Sequence, residues 1–348
     1  MLGIFAFVFS ACEDDSFDPE EARQELSKAQ EEMAMNMGMM MQTPQMQSLT
    51  FLQQLTGMEF DFDLGMKSAV SSISRNPSRL AYLGMNPIFD LSRELSEVNI
   101  TKDYMDGGIF EYNFATEQFD QTPANHIEFI YPADQQALNN QNNNARLVID
   151  NLQFTTAIID GYPEEVPSSA DITMFIDNQE EMTMTFSLNV GPDGMPSGAN
   201  LVMSMPPYSM NMSYAGSGNN YSLDMTMAEG NNTLVDIDLS IRIDPEWDEV
   251  EHVSGKVLLS PLEFSGSINI LDMEDCYWAQ DAVGCMNSAI SVELMHKSQG
   301  KKIGDIEFRE YYDPYWEEYV PELAIVYDDG SYDFLTDVFE IDEGDFGL

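Results

Sequence analysis

Two periodicities divide the chain. From Pro19 onward, apolar residues recur every three or four positions at Ala22, Leu26, Ala29, Met33, Met37 and Met40, which predicts one amphipathic helix ending near Met41. Asp18 stands as its N-cap, Pro19 at its first helical position and Glu21 at capping-box spacing. A second helix is expected from Pro44 to about Leu55, with weaker helical character at 66–73 and 91–95 between breaks at Gly57, Pro77 and Pro87. Residues 19–100 therefore read as a helical and irregular N-terminal region.

After Asp103 the period becomes two. Phe110, Tyr112 and Phe114 alternate with Glu111 and Asn113, and Met184, Phe186, Leu188 and Val190 with Thr183, Thr185, Ser187 and Asn189. Tyr208, Met210, Met212 and Tyr214 lead through the turn sequence AGSGNN to Tyr221, Leu223, Met225 and Met227. The longest run is Val235, Ile237, Leu239, Ile241 and Ile243, with Asp236, Asp238, Ser240 and Arg242 on the other face. About thirteen or fourteen such strands predict a mainly β chain with N-terminal helices: a large antiparallel meander over 101–348 with one dry and one wet face. A flat sheet of that width leaves its apolar face open, so the expectation is a curled half-barrel or barrel, or a two-layer sheet, with the helices as lid. A transmembrane barrel is disfavoured, because most strands read as shorter than the ~9–11 residues that one requires.

Charge narrows the function. The chain has 348 residues with 14 Lys and Arg against 61 Asp and Glu, a net charge of -47, which repels phosphate backbones and sets nucleic acid aside. Its hydrophobic (43%) and aromatic (11%) content is enough for a sizeable core, so disorder throughout is excluded. Basic residues are depleted: the 95 positions between Arg146 and Arg242 contain none. Such a surface suits a salt-adapted organism, because at ~1 M salt the Debye length falls to about 3 Å.

Met1 to Cys12 reads MLGIFAFVFSAC, an apolar run followed by Ser10, Ala11 and a cysteine. The run is too short for a membrane span of ~20 residues and fits the apolar segment of a secretory signal. Phe9-Ser10-Ala11-Cys12 resembles the lipobox of bacterial lipoproteins, which implies that residues 1–12 are a signal segment and that Cys12 becomes the acylated N-terminal residue. Residues 13–18, opening on Glu13-Asp14-Asp15-Ser16, form an acidic tether that resembles the export signal of surface lipoproteins in Bacteroidota. Gly108–Thr116 with Ile127–Ala133 is similar to a strand-turn-strand pattern of uncharacterised lipoproteins of that group, and brings no activity with it. These resemblances imply a cell-envelope protein held at the outer membrane by its lipid, periplasmic or surface-exposed, with the membrane as one partner and an envelope protein or ligand as another.

Removing Cys12 leaves Cys276 and Cys285, an even pair read as a disulfide whose short loop contributes about 2.5 to 3 kcal/mol. Their spacing is wrong for zinc. His126, His252 and His296 are the only histidines, and neither H-E-x-x-H, G-x-S-x-G nor a P-loop occurs, so no catalytic residue, metal or cofactor is assigned. Asp244, Glu246 and Asp248, and Asp328, Asp329 and Asp333 around Gly330, are the acidic turns nearest to a calcium pattern, and both read as solvated loops. Tyr311, Tyr312, Tyr315, Trp316 and Tyr319 crowd REYYDPYWEEYVPE as a candidate binding surface, against the alternative that their rings fold onto the core.

The leading expectation is a non-enzymatic, lipid-anchored binding or scaffold module. Its alternatives are a carrier of an apolar ligand in a curled-sheet cavity, resembling periplasmic lipoprotein carriers in architecture only, and a carboxylate-dependent hydrolase. Because folding gathers like charges, the unfolding midpoint is expected to rise between about 0.05 M and 1 M NaCl, mostly at the lower end, and equally in KCl. Thermal melts in both salts check this, and a midpoint indifferent to salt contradicts it.

Overall fold

The computed structural model describes residues 16–56, 107–159, 162–192, 194, 196–244, 249–276, 279–313 and 318–338. The weak helices expected at 66–73 and 91–95 lie outside them. Helix α1 spans Pro19–Met41, with the Asp18 carboxylate accepting from the Glu21 N–H at 2.9 Å, and α2 spans Pro44–Thr56. The sheet begins with β1 (Gly108–Asn113), β2 (Gln118–Thr122) and β3 (Ile127–Tyr131), followed by a short helix α3 (Gln135–Asn139). Then come β4 (Ala145–Ile159), β5 (Tyr162–Ile176), β6 (Gln179–Val190), β7 (Pro196–Met205), β8 (Tyr208–Ser217), β9 (Asn220–Glu229), β10 (Asn232–Asp244), β11 (Glu249–Leu259) and β12 (Leu262–Asn269). Helices α4 (Ile270–Cys276) and α5 (Ala282–Ala289) interrupt the meander before β13 (Ile290–His296), β14 (Lys301–Asp313), β15 (Glu318–Val326), β16 (Tyr332–Phe334) and a final turn α6 (Leu335–Val338).

All sixteen strands form one sheet, in which β3 to β16 are neighbours in chain order and antiparallel. The exception is β1, which lies between β2 and β3 and runs parallel to β3. Strand length does not separate this sheet from a membrane barrel as expected, since β4 and β5 have 15 residues each and β10 has 13. Closure does: among the described residues β2 and β16 end the strand order, and the sheet is open. Both ends are poor templates for further pairing, β2 being five mostly exposed residues and β16 only three. No helix among the described residues is long and apolar enough to cross a membrane.

The inner face carries the alternating apolar set: Phe186, Leu201, Met212, Leu223, Leu239, Val253, Leu294 and Ile325 are all buried. The sheet curls, because Leu239 on β10 and Leu323 on β15 line one small pocket, whereas five strand spacings in a flat sheet would part them by about 24 Å.

The helices cover one end of this inner face, and side chains on the predicted stripe provide the contact: Ala22, Leu26, Ala29 and Met40 are buried, while Met35 and Met39 are exposed. Phe17 donates its N–H to the Lys302 carbonyl at 3.0 Å, and Arg23 Nε meets Asp333 at 2.6 Å, so the start of α1 docks on β14 and β16. Its Glu25 faces His296 at 3.4 Å, and Lys28 holds that carboxyl below the usual range. Beyond the Thr43 turn, α2 reaches the opposite flank, where Ser48 shares a 3.1 Å hydrogen bond with Tyr131 on β3 and Gln45 donates to Glu181 on β6 at 3.0 Å. Helices and sheet therefore share one core. Leu26→Ala removes a side chain 2% exposed and is expected to destabilise the whole fold by about 2–5 kcal/mol in denaturant unfolding. A change below about 0.5 kcal/mol would mean that α1 is an appendage.

Candidate functional site

Among the described residues, a concavity lies on each face near the middle of the sheet. The outer face of β9 to β13 has short side chains in register. Ser222, Ser240, Ser254, Ser267 and Ser291 are successive cross-strand neighbours. The next row is longer and reads Ser217, Asn220, Arg242, His252 and Asn269. The step between the rows makes a shallow groove of about 480 Å³, floored by Ser222, Ser240 and Ser254 and walled by Asn220, Arg242 and His252. A β-bulge shapes the wall, since Arg242 pairs with His252 and Ile243 with Val250, leaving Glu251 as the extra residue. Glu251 then accepts two bonds from Arg242, at 2.7 and 2.6 Å. Bidentate pairing fixes the guanidinium plane and balances its charge. The result is a groove in which serine hydroxyls, the Asn220 amide and the His252 imidazole stand beside Tyr221 and Ile241, and in which the Arg242 charge is balanced, within a protein of net charge -47.

The inner face dents at Gly255 and Gly266, which are direct partners across β11 and β12. Their φ values of +139° and +149° belong to glycine, and a Cβ at either would lie 1.9 Å from a neighbouring-strand carbonyl oxygen, that of Asp238 or Ser291. Two side chains are therefore missing from the middle of the core face. What remains is an apolar pocket of about 80 Å³ walled by Leu239, Val253, Phe264, Ile268, Val292 and Ile306. Left empty, a space of that size costs about 2 kcal/mol at ~24 cal/mol per Å³.

Tyr214 lies in the same inner-face row, which runs Tyr214, Leu223, Leu239, Gly255, Gly266 and Val292. The residue is 5% exposed, and its hydroxyl has no hydrogen-bond partner among the described residues. Burial pushes its ionisation well above the ordinary tyrosine range, so it is a neutral donor. An unmet buried hydroxyl costs about 1–3 kcal/mol. Its ring stacks on Tyr221 at 5.7 Å, and that arrangement needs Gly216, where a Cβ would come within 2.6 Å of the Tyr221 ring.

The expected site residues fall elsewhere. Cys12, Tyr315, Trp316, Glu246 and Asp248 lie outside the described residues. The rest of the aromatic stretch splits: Tyr312 and Tyr319 meet edge to face at 5.3 Å, 48% and 69% exposed, while Tyr311 packs on Phe334 at 5.3 Å. Each carboxylate of the second acidic turn is engaged by the protein's own donors: Asp328 by Ser16, Asp329 by the Ser331 N–H at 2.8 Å, and Asp333 by Arg23 and Tyr327. Asp328 and Asp333 fasten the chain at Ser16 and α1 at Arg23 to the sheet, while Asp329 closes its own turn. His126 faces the buried Glu128 at 3.2 Å, beside Arg146, and His296 faces Glu25. Of the three histidines, His252 lines the outer-face groove.

Cys276 and Cys285 are bonded, with Cα atoms 5.4 Å apart, joining α4 to α5. Neither the groove nor the pocket is apparent in the sequence as a motif. No protein-family model, curated protein or solved structure matches the chain. The bridge holds α5 where Asn287 exchanges two hydrogen bonds with the Phe308 backbone, at 3.1 and 2.6 Å. The double substitution Cys276→Ser and Cys285→Ser is expected to lower stability by about 2.5 to 3 kcal/mol in denaturant unfolding. An unchanged midpoint would contradict a stabilising role for the bridge.

Proposed function

We propose that the protein is a lipid-anchored envelope lipoprotein acting as a non-enzymatic binding module, whose outer-face groove takes a neutral, hydrogen-bonding ligand. The groove itself carries the reading: about 480 Å³ in which serine hydroxyls, Asn220 and His252 stand beside the apolar surface of Tyr221 and Ile241, with Arg242 held bidentately by Glu251. Polyhydroxylated ligands such as glycans suit this lining, because they offer paired donors and acceptors and bring no charge against the acidic body. The lipobox-like Cys12 supports the anchor, and acylation there would hold the body at a membrane despite its charge.

A second reading, a carrier of an apolar ligand, is favoured by the apolar pocket on the inner face.

The module reading is tested on a glycan array together with its Arg242→Ala variant. Saturable binding to neutral glycans, weakened at least about ten-fold by the substitution, is expected. Preference for sulfated or phosphorylated glycans, or indifference to Arg242, would contradict it. In cells, a fatty-acid probe should label the wild type and not Cys12→Ser, and equal labelling would remove the anchor.

A further inference from the structure

We infer that the solvent face of α1, near its C-terminal end, binds a soft monovalent cation of the Cu(I) class between the thioethers of Met35 and Met39. Methionine is common in the core, where Met40, Met46, Met174, Met182, Met205 and Met210 are at most 5% exposed and fill the space between helices and sheet. Gap filling does not account for Met35 and Met39. They are 58% and 42% exposed, on a helix that buries Ala22, Leu26, Ala29 and Met40 along another face. Two large apolar side chains held in water four residues apart call for a different reason.

Their spacing makes them a pair. Residues four apart share a helix face with Cβ atoms about 5–6 Å apart, and helical side chains lean toward the N-terminus, so the Met39 arm lies over that of Met35. Two flexible thioethers so placed can close on one ion. Gly38, three positions after Met35, keeps the neighbouring surface clear, since a Cβ there would meet nothing within 4 Å. The donors then choose the ion. No residue from Met33 to Thr56 is charged, so thioethers are what this face offers, and thioether sulfur selects Cu(I) over the hard cations that carboxylates and carbonyls prefer. The net charge of -47 draws cations to the surface, and Glu31 and Glu32, one turn before Met35, bring part of that charge close to the pair.

The test uses the full-length chain with Cys12→Ser, which removes the one thiol outside the disulfide and with it a competing soft ligand. The protein, labelled with 13C at its methionine methyls, is titrated with Cu(I) under argon and ascorbate, and in nitrate buffer with Ag(I), a soft ion that keeps its oxidation state. Saturable binding of both is expected, with the shifts concentrated at the Met35 and Met39 methyls, and no shift from Ca²⁺ or Mg²⁺. Met35→Leu and Met39→Leu keep bulk and apolarity while removing sulfur, and each should weaken Cu(I) at least about ten-fold in competition with bicinchoninate. Met41→Leu, two positions past Met39 and so on another helix face, should leave the affinity unchanged. Because all three side chains are exposed, the variants should melt with the parent, which separates lost ligation from lost folding. Failure of the parent protein to bind either ion overturns the inference. So do shifts confined to other methionines, or full affinity in the variant carrying both Met35→Leu and Met39→Leu, which would make the pair an apolar patch only.

Discussion

The fold depends on covering the apolar face of a single, very wide sheet. An antiparallel meander leaves one face dry along its whole width, and sixteen strands make a dry face that no short helix can cover while it stays flat. Curling shrinks the face, and α1 and α2 close one end by reaching from β14 and β16 across to β3 and β6. Burial, strand bulges and helix docking are consequences of that geometry. The paired glycines are its local exception, where the chain gives up side chains in the core and leaves a space.

The wet face obeys a different rule. Exposed across many strands, it avoids large apolar groups by using Ser, Thr, Asn and Asp, and the strict register of the meander turns scattered serines into a continuous row. A groove arises wherever such a row runs beside longer side chains, as it does along Arg242 and His252. Thus the same strands offer a polar concavity outside and an apolar one inside. Basic residues are few, and several are committed: Arg23 to Asp333, Lys256 to Asp236, Arg242 to Glu251. That leaves the acidic surface largely unbalanced.

Much of the scaffold was legible in the sequence, because it follows from periodicity. The stripe from Ala22 to Met40 and the run from Val235 to Ile243 each repeat the period of their element, and both are placed as expected. Strand β2 carries little signal because Phe119 is its one apolar residue, and the first half of β5 little because Pro163 and Pro167 argue against a strand. Helices α4 and α5 looked like a loop closed by a disulfide. The candidate sites were not legible for a stronger reason. A glycine inside a strand signals close backbone approach, but that Gly255 faces Gly266 is a fact of register, as is the serine row. Composition alone cannot reveal either.

Because one core holds helices and sheet together, native-state hydrogen exchange tests the account most directly. The slowest amides of α1 and α2 should open with the same free energy as those of β6 to β13, since uncovering the inner face dismantles the sheet. Fast exchange throughout both helices, with the central strands still fully protected, would show that the sheet stands uncovered and would contradict the account.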